Sequence, residues 1–407
     1  MRASAFVYPW DVNGDPEAAE RIAGLGVRQV TLAAAYHSTR ALTPRHPRHR
    51  IVTAEHAAVL YPTDARWEGR EIRPYAAGDW APGDAYGEAA QALADAGLDV
   101  HTWVVLAHNS RLGAERPDTS VVNAYGDRYP WAPCIAQPAT RAYLVELAAE
   151  AAVRPGARGT ELESLGWYGL QHLHAHDKTG GVALGDAGTY LMGLCFCPYC
   201  REGYGEQGLD ADELAAGVRE ALEPLWRGAP DDGGWAGVEK LLGGARAAAT
   251  RAWRDETART LQETAVAAVR AAAPEGFQVL LHADPVPYHA GANAGVDPTH
   301  ILSVADGVVV PCTAGTALLP PFAAQRRQGA VIAANFTVVS GMGGSPSTLA
   351  ADAAAAGEAG ATELRLYHAG LASDGDLSVV REALARLWTR AAAVPSSAVP
   401  RAVSSRR

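Results

Sequence analysis

Three of the chain's five cysteines fall within six residues, in Cys195-Phe-Cys-Pro-Tyr-Cys200. Thiolates at C-x-C-x-x-C spacing are soft ligands, and they complete a tetrahedral zinc site only with a fourth ligand from elsewhere. Cys134, in Trp131-Ala-Pro-Cys-Ile, is the natural candidate, and Cys312 is the other. Cys312 sits at the end of an apolar run, where a free buried cysteine is ordinary. Four thiolates leave no open coordination position, so a Zn2+ held by Cys134, Cys195, Cys197 and Cys200 would be structural. The second dense constellation is Glu161-Leu-Glu-Ser-Leu-Gly-Trp-Tyr-Gly169, followed by Gln171-His-Leu-His-Ala-His-Asp-Lys178. Glu161 and Glu163 share a face if the segment is a strand, because strand side chains alternate with period two. One of the pair suits catalysis, and Glu161 suits a structural ion pair. The loop of His172, His174 and His176 is expected to touch substrate through His176 and Lys178, against the plainer reading of a solvated loop.

These residues need a scaffold. Short apolar strands alternate with alanine-rich helices, which favours a parallel sheet. Eight strands are predicted: 4–11, 27–37, 100–109, one running up to Glu163 and Ser164, 277–284, 307–313, 330–337 and 363–368. Helices are predicted over Pro16–Ala23, Tyr86–Ala96, Thr140–Ala152 and Leu349–Ala356, with glycine stops such as Ala96-Gly97. The strand ends are polar or aromatic: Trp10 and Asp11, His37, His108 and Asn109, Glu163, His282 and Asp284, Asn335, Tyr367 and His368. That is what a (β/α)8 TIM barrel needs, since its active site is built at that rim. A doubly wound sheet is the alternative, but no glycine-rich phosphate loop follows a strand. Residues 180–274 are too long for a simple connection. They read as a helical, cysteine-containing insertion after the fourth strand, with helices near Ala211–Trp226 and Trp235–Ala273. Residues 1–393 are expected to form one domain, and the Ser- and Arg-containing tail 394–407 to lack fixed structure.

Composition sets further bounds. The chain has 407 residues and is 48% hydrophobic, enough for a large core. A net charge of −10 argues against nucleic-acid or anionic-membrane binding, which need a basic face. The Pro44-Arg-His-Pro-Arg-His-Arg50 run is local, and reads as a rim or solvated loop. No apolar run approaches the ~20 residues of a membrane span, and the first residues lack a signal-peptide core. With clustered free cysteines this points to a cytoplasmic protein. The sequence leaves open whether copies associate as a homo-oligomer.

A carboxylate ending the fourth strand, an earlier Cys134 and a C-x-C-x-x-C loop together resemble barrel glycoside hydrolases of the family 42 β-galactosidase type. Cys134-Ile-Ala-Gln-Pro-Ala-Thr-Arg-Ala-Tyr-Leu also resembles the entry helix of family-10-like glycosyl hydrolases. The likeness covers roughly residues 118–204. It implies that Glu163 is the acid/base and that the four cysteines bind zinc. Leu162 stands where family 42 has an asparagine, Gln137 departs from the entry-helix pattern, and Ala333-Ala-Asn335-Phe-Thr337 offers no seventh-strand nucleophile. The partner of Glu163 must then come from another strand end, with Asp284 the first choice and Asp11 the second, and an inverting reaction fits that choice. The histidines at the strand ends, with Asn109 and Asn335, suggest a pocket for hydroxyl groups, and Trp10, Trp167 and Tyr367 suggest sugar-stacking faces. Two other readings are a carbohydrate-binding pseudoenzyme and a metal-dependent lyase, isomerase or hydrolase using the histidine-rich loop.

Overall fold

A computed structural model describes residues 1–170, 177–231 and 233–393. Eight parallel strands run in chain order: β1 Arg2–Val7, β2 Gln29–Tyr36, β3 Asp99–Val105, β4 Ala157–Glu163, β5 Gln278–Asp284, β6 Gly307–Pro311, β7 Val331–Thr337 and β8 Glu363–Tyr367. Each pairs with the next, and β8 returns to β1 with Arg2 opposite Glu363. The sheet is therefore a closed (β/α)8 barrel. The strands fall where apolar runs predict them, with shorter ends. The first stops at Val7 because Pro9 opens a one-turn helix, Pro9–Val12, which carries Trp10 and Asp11 off the strand. The third stops at Val105, short of His108, and the sixth at Pro311.

Residues between β4 and β5 form the helices Asp186–Met192, Pro198–Glu206, Ala211–Trp226, Gly234–Leu242 and Gly244–Ala272. The helix expected over 235–273 is broken in two at Gly243, whose φ of +86° is open to glycine at little cost. The Gly244–Ala272 helix lies along the Pro138–Ala152 helix and leads into β5, so it takes a place in the barrel's helical ring. The loop after β2 carries a hairpin, Thr39–Leu42 with Ile51–Ala54, and a short strand, Ala58–Val59, antiparallel to β2.

The bore is layered. Leu280, Val309, Val331 and Ala333 form a fully or nearly fully buried apolar plug. A charged layer shares the bore with it. Arg365 of β8 donates Nε–H to Glu161 Oε1 of β4 at 2.6 Å, and Nη1–H to Glu363 Oε2 at 2.9 Å. Strands β4 and β8 are not neighbours, so this pair spans the interior. His101 Nδ1 lies 4.0 Å from Glu161 Oε1, and His282 Nε2 lies 3.7 Å from Oε2. Gly159 makes room for this layer: a Cβ there would stand 2.6 Å from His101 Cε1. Phe6 and Trp103 roof it, their ring centres 4.8 Å apart.

Burial works against the Glu161 charge, but Arg365 and then His282 outweigh it and hold the carboxyl at about 2, below its ordinary 4.5. Burial holds His101 neutral, with its pKa pulled down to about 3. Both folded values lie below the unfolded ones, so the fold is least penalised above the unfolded values and loses stability as acid forces protons onto these groups. Denaturant titrations across pH should show stability falling from about pH 6.5 toward 2, with the Glu161 part confined to the window below 4.5. A Glu161→Leu variant leaves the buried Arg365 with Glu363 alone of its two carboxylate partners, and should lose about 3–5 kcal/mol at pH 7 and the part of the acid dependence below pH 4.5.

Candidate functional site

Glu163 is the last residue of β4, and period-two alternation puts it on the same bore face as Glu161. Trp103, one strand over, donates Nε1–H to Glu163 Oε2 at 2.7 Å. His282 Nδ1 stands 3.9 Å from the same oxygen. His282 thus lies between Glu161 and Glu163. Around the carboxyl stand phenols. Tyr8 donates to the Tyr36 oxygen at 3.0 Å, and the Tyr36 ring meets Trp103 edge-on at 4.5 Å. Burial foremost, and then neighbouring charges that include Glu163, raise the phenols of Tyr36, Tyr168 and Tyr367. These three are therefore neutral hydroxyls at physiological pH, fit to hydrogen-bond a polar ligand near a carboxylate. His108 stacks on Tyr168 at 4.3 Å and lies 4.8 Å from His37, extending the aromatic rim.

The other sequence-derived candidates are dispersed. Asp284 ends β5, where Oδ1 accepts the Val286 N–H at 2.8 Å and Oδ2 lies 3.0 Å from His289 Nδ1. It lines a cleft of about 350 Å³ between the loops after β4 and β5, and Tyr168 belongs both to this cleft and to the surroundings of Glu163. Asp11 is buried, accepts the Tyr8 N–H at 2.8 Å, and lines a small hollow with Arg21, Arg45 and His46. Burial pushes its carboxyl up to about 7, against the pull of the Tyr8 N–H and Arg45. His368 is fully buried against Tyr8, ring centres 4.2 Å apart, and burial drives its pKa down to about 3. Asn109 caps the Ser110–Glu115 helix, accepting the Leu112 N–H at 3.0 Å. Asn335 lies on the bore face of β7 with a buried Oδ1 that meets no partner among the described residues.

The expected stacking faces are partly taken by packing. Trp10 is buried and stacks on Tyr8 at 4.6 Å. Trp167 donates to the Arg254 carbonyl at 3.0 Å and lies under the Arg254 guanidinium. Tyr367 remains at the rim, edge-on to Phe6 at 5.6 Å. Lys178 is exposed, while His172, His174 and His176 lie outside the described residues. Sequence reasoning missed Trp103, Arg365 and His289. The alternation Glu363-Leu-Arg-Leu-Tyr367 did signal charge on the bore face of β8, and His289 follows Asp284 by five residues.

The cysteine cluster is compact. All four sulfur atoms of Cys134, Cys195, Cys197 and Cys200 lie within 4.8 Å of one another, and Cys134 is 3.6 Å from both Cys197 and Cys200. A tetrahedron of ~2.3 Å metal–sulfur bonds has edges of about 3.8 Å, so this set could hold one ion. Cys312 lies apart, its thiol donating to the Val310 carbonyl at 3.4 Å. Cys134 follows the hairpin Ser120–Val122 and Arg128–Pro133, and the other three open the Pro198–Glu206 helix. A metal here would join the loop after β3 to the loop after β4.

No protein-family model matches the sequence, and no curated protein does. Solved structures match the fold. An α-L-fucosidase isoenzyme 2 from Paenibacillus thiaminolyticus aligns over 96% of this chain and 50% of its own, at TM-score 0.58 and 12% identity. The catalytic domain of a β-amylase from Paenibacillus polymyxa aligns over 95% and 98%, at 0.55 and 12%. A family 42 β-galactosidase from G. stearothermophilus aligns over 96% and 57%, at 0.53 and 11%. The chain thus spans about half the length of the fucosidase and somewhat more of the galactosidase. At these identities the likeness is one of fold, a barrel shared with glycoside hydrolases.

Titrating the reduced protein with Co2+ should give intense thiolate-to-cobalt absorption saturating at a single equivalent. Cys197→Ser should abolish the tetrahedral signal and lower the midpoint of thermal unfolding in the metal-loaded protein.

Proposed function

We propose that the chain hydrolyses a glycosidic bond in a small glycoside or oligosaccharide. The observation that carries this reading is Glu163: a carboxyl at the C-terminal end of β4, tied to Trp103 and ringed by the phenols of Tyr36, Tyr168 and Tyr367. Carboxyl and aromatic groups at this end of a barrel suit sugar chemistry. That solved glycoside hydrolases share the barrel supports it.

In this reading Glu163 acts as the acid and Asp284 as its partner. Glu163 gives its proton to the glycosidic oxygen as the bond from that oxygen to the anomeric carbon breaks. Asp284 takes a proton from a water whose oxygen forms the new bond on the opposite face, which inverts the anomeric centre. A second reading, sugar binding without turnover, is favoured by one observation: both Asp284 oxygens are already engaged, by Val286 and His289. In either case the four cysteines hold a Zn2+ that braces the loops and takes no part in the reaction. Soft thiolates favour zinc, and four of them close its coordination sphere. Barrel and insertion form one domain, with the cytoplasm as its place of work. No helix among the described residues is long and apolar enough to cross a membrane.

Glu163→Gln should lower kcat/KM on the best substrate of a glycoside panel by about 10²–10⁴-fold, with sugar affinity kept. Unchanged turnover in this variant removes Glu163 from the reaction. Sugar binding with no turnover by the unaltered protein selects the second reading.

A further inference from the structure

The cleft beside Glu163 has features that hydrolysis by two carboxyls does not use. Its volume of about 350 Å³ falls within the ~300–1,000 Å³ of small-ligand pockets. Its walls include Tyr168, Asp186, Tyr190, Arg254, Tyr288 and His289. Two buried polar atoms on these residues meet no hydrogen-bond partner among the described residues: His289 Nε2 and Arg254 Nε. Arg254 is only 3% exposed. A buried donor left without a partner costs roughly 1–3 kcal/mol, so a ligand that reached either atom by a small shift of the wall now covering it would recover that cost.

His289 is held in one orientation. Asp284 Oδ2 lies 3.0 Å from its Nδ1, and Val286 N–H fixes the other Asp284 oxygen. That pairing puts the Nδ1 proton on the Asp284 side and leaves Nε2 for the cleft, 3.7 Å from Asp186 Oδ2. Burial disfavours the imidazolium, but Asp284 and then Asp186 outweigh it and raise the His289 pKa. Asp186 and Asp284 share the wall with Arg254 and His289. Among the described residues both acidic and basic side chains line the cleft, so its wall is not of one sign. It offers donors and acceptors side by side between aromatic rings, and Tyr190 meets Tyr288 edge-on at 6.1 Å. A hydroxyl group both donates and accepts at one atom, which suits such a wall.

The geometry points to the cleft as a binding subsite for a neutral, hydroxyl-rich unit, a sugar ring of the substrate, gripped by His289 and Arg254. Asp284 serves it as the residue that orients His289. Calling the ligand part of a substrate rests on the hydrolase reading; the subsite itself does not.

Saturation-transfer NMR on the full chain tests this with lactose, maltose and cellobiose as neutral probes, and glucuronate and glucosamine as charged ones. At least one neutral disaccharide should bind to the unaltered protein and to Glu163→Gln alike. His289→Leu and Tyr288→Ala should each weaken it by about tenfold or more. Tyr288 is half-buried at the wall, so its truncation keeps the test usable if His289→Leu fails to fold. The proposal is overturned if no neutral probe binds, if binding ignores both cleft variants, or if a charged probe binds more tightly than its neutral counterparts. Failure of the hydrolase reading looks different: Glu163→Gln keeps its turnover, or none exists, while the neutral probes still depend on His289 and Tyr288.

Discussion

The ion pair between Arg365 and Glu161 is the constraint on which the rest of the barrel depends. It joins strands that never touch through their backbones, across a bore in which both side chains are wholly buried. A buried pair is no source of net stability by itself, because desolvating two charges costs about as much as their attraction returns. Its consequence is register. Sliding β8 by one residue would carry Arg365 to the outer face and leave Glu161 unpaired in the bore, a penalty of several kcal/mol that a shift in an apolar layer would not incur. The Leu280, Val309, Val331 and Ala333 plug tolerates exchange of one aliphatic for another, whereas the charged layer does not. Once Glu161 is fixed, the His282 ring beside it is fixed, and Glu163 Oε2 lies 3.9 Å beyond that ring.

Much of this scaffold was legible in the residues. All eight strands follow from apolar runs bounded by glycine or polar residues, and the cysteine cluster follows from ligand spacing. Glu161 as a structural ion-pair partner followed from its sharing a face with Glu163. What stayed hidden depends on closure. Glu161 and Arg365 are 204 residues apart, and only the angular position of β4 and β8 around a closed sheet makes them meet. The Trp103 hydrogen bond to Glu163 likewise needs the β3–β4 register, in which Val105 lies opposite Glu163. Trp10 and Asp11 were misplaced for a local reason. Their aromatic and acidic side chains continue the polar rim pattern, but Pro9 lacks the N–H that a further strand pairing would use, and it starts a helical turn. Trp167 reads as a stacking face until the Gly244–Ala272 helix brings Arg254 over it.

The insertion after β4 connects the two features that chemistry singled out. The helix Asp186–Met192 supplies Asp186, Thr189 and Tyr190 to the cleft, and it ends three residues before Cys195. On the far side, Phe196 N–H donates to the Val122 carbonyl at 2.6 Å, and Val122 N–H to Cys195 Sγ at 3.5 Å. The cysteine turn is thus already tied to the hairpin after β3 by one backbone hydrogen bond and one to the Cys195 sulfur. A metal in the thiolate set would add a covalent-strength clamp at the same point. Its effect on a ligand would be indirect: it would restrict the helix that forms one wall of the cleft, lowering the entropy lost on ordering that wall around whatever the cleft binds.

The hydrolytic reading also bears on which oxygen of Glu163 does the work. Trp103 Nε1–H is a donor only, so the oxygen it meets, Oε2, serves as an acceptor. A proton carried by this carboxyl then sits on Oε1, and a general acid needs one oxygen that holds the proton while the other is anchored. The anchoring indole lies under Tyr8 and beside Phe6 and Tyr36, so it is held by packing on three sides. Asp284, the partner in that reading, lies outside this ring of aromatic side chains, in the cleft that Tyr168 also lines. An inverting reaction in that reading needs a water between the two carboxyls, on the face of the sugar away from Glu163.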